Sequence, residues 1–320
     1  MVWNVILLIV GVLLLIKGAD DFVEGSSTLA KKARIPALVI GLTLVSVGTS
    51  LPELSVSLTA ALKGQNDMSF GNVIGSNIFN TFVVIGTAAI FTPMLIDKNM
   101  KKFDLPILMG IYGLLALFAY VITPEVIQIW EGLILFSLMF IYTGFLILRS
   151  KKEIKEDSGY DLDELKEIKT SSNIFLILCG AAGIIGGGTL VVENAEIIAL
   201  ALGMSELLVG LTVVSIGTSL PELVTSIVAA KKGENDIAVG NAIGSSLFNV
   251  VLILGLSCTV RPMNIELSTI VDIAVMFASA LLIFFMAFGK AEVNRWKGIL
   301  FILIYIAYFV YIILRNYGIV

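Results

Sequence analysis

The chain has 320 residues, 58% of them hydrophobic and 14% charged, with a formal charge of -4 and a mean hydropathy of +0.99. Soluble domains carry about 25% charged residues, and nucleic-acid binders present basic surfaces to phosphate, so both classes are excluded, along with a disordered chain. Histidine is absent, which removes imidazole metal ligands, Ser-His-Asp hydrolases and histidine proton relays.

At about 20 apolar residues per membrane-spanning helix, the composition reads as an all-α polytopic membrane protein. Long apolar runs predict ten transmembrane helices at about 4–30, 35–62, 68–92, 103–122, 126–148, 173–200, 205–230, 236–259, 266–288 and 296–315. The apolar start, Met1 to Ile16, lacks a basic region and a small-residue cleavage site and is taken as part of the first span. Further along that span, Lys17 stands three and four residues before Asp20 and Asp21, with Glu24 beyond. A local ion pair accounts for these charges; an ion-access path, with the first and sixth spans as gates, is the functional alternative. Glu193 and Glu196 are the polar residues of the sixth span. Cys179 and Cys258 fall in separate apolar runs and read as small core residues.

The longest polar stretch divides the chain into residues 1–149, a connector at 150–172 with a helical turn expected around Leu162 to Ile168, and residues 173–320. With the N-terminus outside, the inside loops hold Lys31, Lys32, Arg34, Lys98, Lys101, Lys102, Arg149, Lys151, Lys152, Lys155, Lys166, Lys169, Lys231, Lys232, Lys290, Arg295 and Lys297. Only Lys63, Arg261 and Arg315 lie outside. This asymmetry supports the span count and predicts a cell-membrane protein with both termini outside and a cytoplasmic connector.

Residues 31–80 align without gaps with 200–249, with 27 identities in 50 positions. The identity concentrates at 48–54 against 217–223, both GTSLPEL, and at 71–80 against 240–249, GNVIGSNIFN against GNAIGSSLFN. Each half holds five predicted spans, an odd number, so the second copy enters the membrane from the opposite side. Inverted five-helix repeats are a transporter architecture with the substrate site near the midplane. Duplication of a helical scaffold alone would favour apolar positions, whereas much of the shared set is Gly, Thr, Ser, Pro, Glu and Asn.

Glu53 and Glu222 sit within apolar segments, where a carboxylate costs roughly 2.5–3.5 kcal/mol on insertion scales. No lysine or arginine falls in the second, third, seventh or eighth spans away from their ends. A bound cation is the economical partner; two protonated, purely structural glutamates are the alternative. Pro52 and Pro221, each four residues after a glycine (Gly48, Gly217), are expected to break their helices and free carbonyls near Ser46, Thr49, Ser215 and Thr218. A simple kink is the plainer reading. Gly71, Gly75, Gly240 and Gly244 allow close helix approach, while Ser76 with Asn80, and Ser245 with Asn249, each share a helix face. Two carboxylates plus neutral oxygens suit a hard cation such as Ca²⁺, or two monovalent ions of equal total charge.

At GTSLPE and GNxIGSxxFN, each present twice, the chain resembles the calcium:cation antiporter family, most closely its prokaryotic sodium/calcium exchangers. The resemblance implies ion ligation by Glu53 and Glu222, and by Thr49, Ser50, Ser76 and Asn80 with their counterparts Thr218, Ser219, Ser245 and Asn249. It further implies backbone carbonyls from the Ser46 and Ser215 positions, several adjacent Na⁺ sub-sites, and first and sixth helices that slide to switch access. Some members carry an aspartate where this chain has Asn249. The expected activity is Na⁺/Ca²⁺ antiport by alternating access, with Ca²⁺/H⁺ antiport as the alternative and a cation channel behind both. No enzymatic activity, cofactor, nucleic acid or obligate protein partner is expected beyond the transported Na⁺ and Ca²⁺ and the lipid bilayer.

Overall fold

The structure is a computed structural model that describes residues 1–156, 170–203, 215–265, 269–286, 292–317 and 319. The turn expected at Leu162 to Ile168, the start of the seventh predicted span at 205–214, and Lys166, Lys169 and Lys290 lie outside the described residues.

Within the described residues the apolar runs fold as helices. In chain order they are α1 (Val2–Ala33), α2 (Ala37–Thr49), α3 (Leu51–Lys63), α4 (Met68–Phe91), α5 (Met100–Ile122), α6 (Ile129–Glu156), α7 (Thr170–Ala201), α8 (Ser215–Thr218), α9 (Leu220–Lys231), α10 (Asn235–Val260), α11 (Ile270–Met286) and α12 (Arg295–Asn316). Among the described residues seven helices are long and apolar enough to cross a membrane: α1, α4, α5, α6, α7, α10 and α12. The α2–α3 pair, bent by 50°, makes an eighth if taken as one span, and α11 is a shorter apolar helix. The protein is therefore a multi-pass, all-helical membrane protein. Among the described residues, the helices are supplemented by two short antiparallel pairings, Met94↔Val293 with Leu95↔Glu292 and Val126↔Asn264 with Ile127↔Met263. They join loops of opposite halves, where backbone groups outside helices need partners.

The helices are layered around α4 and α10. Each is buried over 78% of its apolar stretch, against 17% for α12 and 22% for α1. On α1 the residues Trp3, Ile9, Leu13 and Ile16 are exposed, a lipid-facing side. The opposite side lies against α7 at backbone distance: a Cβ at Gly18 would stand 2.6 Å from Ile184 N, and one at Gly180 would stand 2.5 Å from Phe22 N. Without a hydrophobic force between helices in lipid, such small residues are what let two backbones pack.

Two expectations need correction. Cys258 is buried, but Cys179 is exposed on α7 beside exposed Phe175 and Leu178. Apolar composition does not separate core from lipid-facing positions, because both are dry. The helix expected to end near Arg149 continues to Glu156, and the next begins at Thr170, so both ends of the predicted connector are helical.

Candidate ion-binding site

The GTSLPEL motifs build two matching corners. In the first half α2 ends at Thr49, Ser50 leaves the helical conformation at φ -85°, ψ 9°, and α3 starts at Leu51 with Pro52 in its first turn. The second half repeats this: Ser219 has φ -91°, ψ 3°, and Pro221 sits in the first turn of α9. The break thus falls at the serine, and the proline opens the following helix rather than interrupting one. That position suits proline, whose missing N–H is unpaired there anyway. Glu53 and Glu222 occupy the first turns of α3 and α9, where the helix dipole favours negative charge.

Ser50 and Ser219 stand at helix N-caps, yet neither side chain caps its own helix. Their hydroxyls cross between halves instead. Ser50 Oγ donates to Glu222 Oε1 at 2.7 Å, and Ser219 Oγ donates to Glu53 Oε1 at 3.1 Å and reaches Ser76 Oγ at 3.0 Å. Thr49 Oγ1 donates to Asn241 Oδ1 at 3.0 Å, and Thr218 Oγ1 to Asn72 Oδ1 at 3.3 Å. Each of these asparagines also grips the helix that carries its own half's glutamate: Asn72 Nδ2 donates to Ser57 Oγ and Glu53 O, Asn241 Nδ2 to Ser226 Oγ and Glu222 O. The two halves therefore hold each other's carboxylate through the same atoms.

All eight side chains Glu53, Glu222, Thr49, Ser50, Ser76, Thr218, Ser219 and Ser245 are buried, as are Ser46, Asn80 and Asn249. Ser245 Oγ donates to Glu222 Oε1 and to Ser46 O, each at 3.3 Å. The Ser46 carbonyl beside these groups is not free, since it also accepts Ser50 N–H at 3.1 Å and Thr49 Oγ1 at 3.2 Å. Ser215 opens α8, and its side chain is outside the described set. Among the described residues neither glutamate has a basic partner. Glu53 Oε2, Glu222 Oε2, Asn80 Oδ1, Asn80 Nδ2 and Asn249 Oδ1 are buried without a hydrogen-bond partner. Native interiors satisfy almost all such atoms, so this concentration of unpaired oxygens on the two motifs calls for a ligand. No cluster of three or more His, Cys, Asp or Glu set to hold a metal occurs among the described residues; any cation here depends on amide, hydroxyl and carbonyl oxygens besides the two carboxylates.

Sequence reasoning missed three features. Asn80 and Asn249 each begin a π-helical stretch, Asn80–Val84 and Asn249–Leu254, a local widening common at functional sites. Asp104 is fully buried against Arg149 Nη1 at 2.9 Å and Tyr142 Oη at 3.1 Å, and Asp272 is held likewise by Arg315 Nη2 at 2.9 Å and Tyr308 Oη at 2.9 Å. The signal was partly available: Asp272 lies within an apolar run, while Asp104 stands at the start of one, just after Lys101 and Lys102. Finally, the charges on α1 do pair locally, Lys17 Nζ lying 2.6 Å from Asp21, but Lys232 also reaches Asp20 at 2.8 Å and Glu24 at 3.3 Å. Glu234 takes Lys31 Nζ at 2.8 Å and the Ser27 hydroxyl, so α1 is tied to the turn between α9 and α10.

A membrane-embedded pair of carboxylates shared between two similar halves is the mark of a cation transporter. The Sodium/calcium exchanger protein family model matches residues 3–148 and 172–314. The chain is 33% identical to the sodium/calcium exchanger MaX1 of Methanosarcina acetivorans, over 96% of this chain and 97% of that one. It is 39% identical to the inner membrane protein YrbG of Escherichia coli over 81% of each chain. A solved structure of the sodium-calcium exchanger NCX_Mj, soaked with Na⁺ and Ca²⁺, superimposes with a TM-score of 0.83 at 30% identity, covering 96% of this chain and 97% of that chain. The chain belongs to the sodium/calcium exchanger family and is a membrane cation antiporter.

Proposed function

We propose that the protein exchanges Na⁺ for Ca²⁺ by alternating access at Glu53 and Glu222. The observation that carries this reading is the pair of buried carboxylates, each with one oxygen bonded by the other half's serine and one left unpartnered. Their combined charge balances one Ca²⁺ or two Na⁺. Thr49, Ser50, Ser76, Asn80, Thr218, Ser219, Ser245 and Asn249 supply neutral oxygens, with backbone carbonyls from the Ser46 and Ser215 positions; Ca²⁺ takes 6–8 oxygens in a flexible shell. Because one ligand set meets either ion, the two compete, and transport of each in turn gives exchange. MaX1 and NCX_Mj are both named as sodium/calcium exchangers, which supports Na⁺ as the counter-ion.

The architecture we infer is ten spans in two inverted five-helix repeats, 1–149 and 173–320, with the connector in the cytoplasm and both termini outside. The reciprocal contacts between the GTSLPEL corners support it, because a serine of each half serves the other half's glutamate. The close α1–α7 pair is suited to move as a unit against the α4–α10 centre and switch access.

The test is ⁴⁵Ca²⁺ uptake into proteoliposomes loaded with Na⁺, with K⁺-loaded and acid-loaded vesicles in parallel. The reading requires uptake that depends on the outward Na⁺ gradient. Equal uptake driven by a proton gradient without Na⁺ would make the protein a Ca²⁺/H⁺ antiporter, and flux at channel rates in planar bilayers would make it a channel.

A further inference from the structure

The cross-half network is reciprocal at most positions, but it breaks beside Asn249. The first half has Asn77 where the second has Ser246. Ser246 Oγ donates to Ala242 O of its own helix at 2.9 Å. Asn77, fully buried on α4, instead spans two neighbours: its Oδ1 accepts Asn249 Nδ2 of α10 at 3.0 Å, and its Nδ2 faces Met276 Sδ of α11 at 3.6 Å.

The chemistry of these three groups fixes their orientation. A thioether sulfur accepts hydrogen bonds and has none to donate, so the Asn77 NH₂ belongs on the Met276 side and its oxygen faces Asn249. Asn249 must then offer its NH₂ to Asn77, which turns its own Oδ1 the other way, buried and without a partner. Asn80, on the opposite motif, has neither Oδ1 nor Nδ2 engaged, so nothing in the network holds its amide.

We propose that Asn77 is a positioning residue which, anchored by the Met276 sulfur, presents the Asn249 carbonyl oxygen as a pre-set cation ligand, while the Asn80 amide adjusts. The two halves thereby acquire one fixed and one adjustable neutral oxygen. A ligand fixed in advance lowers the ordering cost of binding, whereas an amide free to turn must first be oriented with its oxygen, not its NH₂, toward the cation. The inference rests on the reading of Asn249 as an ion ligand made above.

The test is a double-mutant cycle on the purified full-length chain, read by equilibrium ⁴⁵Ca²⁺ binding. Asn77→Ser, which copies the second half, is expected to weaken Ca²⁺ binding about tenfold, the scale of one lost hydrogen bond to a ligating group. In an Asn249→Ala background the same substitution should have no further effect, because Asn77 acts only through that amide. Met276→Leu removes the sulfur anchor without touching either asparagine; it should weaken binding about threefold, again only when Asn249 is present, and it carries the cycle if Asn77→Ser is not recovered folded. Equal losses with and without Asn249, or no loss at all, would overturn the proposal. A Glu53→Gln control separates the two layers. Loss of binding there alongside additive Asn77 effects refutes the positioning role alone, whereas wild-type binding in Glu53→Gln refutes the site.

Discussion

The packing of α1 on α7 makes a quantitative prediction for Gly18→Ala. The added methyl would stand 2.6 Å from Ile184 N, 2.7 Å from Gly183 C and 2.8 Å from Gly180 O. All three are backbone atoms, so no side chain can swing aside. Ordinary contact begins near 3.4 Å, so the helices must part by about 0.8 Å. A gap of that size forfeits roughly a quarter to a half of each dispersion contact it opens, and overpacking of this kind costs about 1–3 kcal/mol. At roughly 2–4 °C per kcal/mol, the detergent-solubilised protein should melt several degrees lower, and on the switching role proposed for the α1–α7 pair exchange should slow as well. Gly186 on the same α7 is the control: it is exposed, and a methyl there meets nothing within 4 Å among the described residues. Gly186→Ala should be neutral or slightly stabilising, since alanine is the better helix former. Equal melting temperatures for the two variants would refute the close-packing argument.

The remaining predictions concern the site and its frame. Ser50→Ala and Ser219→Ala each remove the hydroxyl that the other half's carboxylate accepts, and each should raise the half-saturating Ca²⁺ concentration in uptake roughly 10–100-fold, to a similar extent in both variants. Asp104→Ala should destabilise the fold by about 3–5 kcal/mol in thermal unfolding, because it removes the carboxylate bonded to the buried Arg149 guanidinium. Asp272→Ala should cost less, since its partner Arg315 is 26% exposed against 7% for Arg149. For orientation, single cysteines placed at Lys63 and at Lys98 in a chain otherwise lacking cysteine should label from opposite sides with a membrane-impermeant reagent, Lys63 from outside; labelling from the same side would contradict the inferred topology.

The polar repeats made the site legible in outline. Glu53 and Glu222 are visible because a carboxylate in an apolar run demands a partner, and the repeated Thr, Ser and Asn positions follow from the self-alignment. Which residue meets which was not visible. A repeat of similar halves says nothing on whether Ser50 serves its own neighbour Glu53 or the distant Glu222, and the folded chain chooses Glu222. The break falls between Gly48 and Pro52, where the motif places it, but the proline's part in it was not visible. Proline both interrupts and initiates helices, and only the Ser50 dihedrals decide that Pro52 initiates one. The widened turns at Asn80 and Asn249 depend on backbone hydrogen-bond slippage that carries no composition signal, and the pairing of Lys232 with α1 joins residues more than two hundred positions apart.

The central claim, that Glu53 and Glu222 together hold the ion that is exchanged, is tested most directly by Na⁺-driven ⁴⁵Ca²⁺ uptake in Glu53→Gln and Glu222→Gln proteoliposomes, with insertion and folding checked by melting. A carboxylate 4 Å from a divalent ion contributes about 8 kcal/mol at an effective dielectric near 20, and an amide restores only part of it, so both variants should fold and both should lose uptake. Uptake at the wild-type rate in either folded variant would contradict the account.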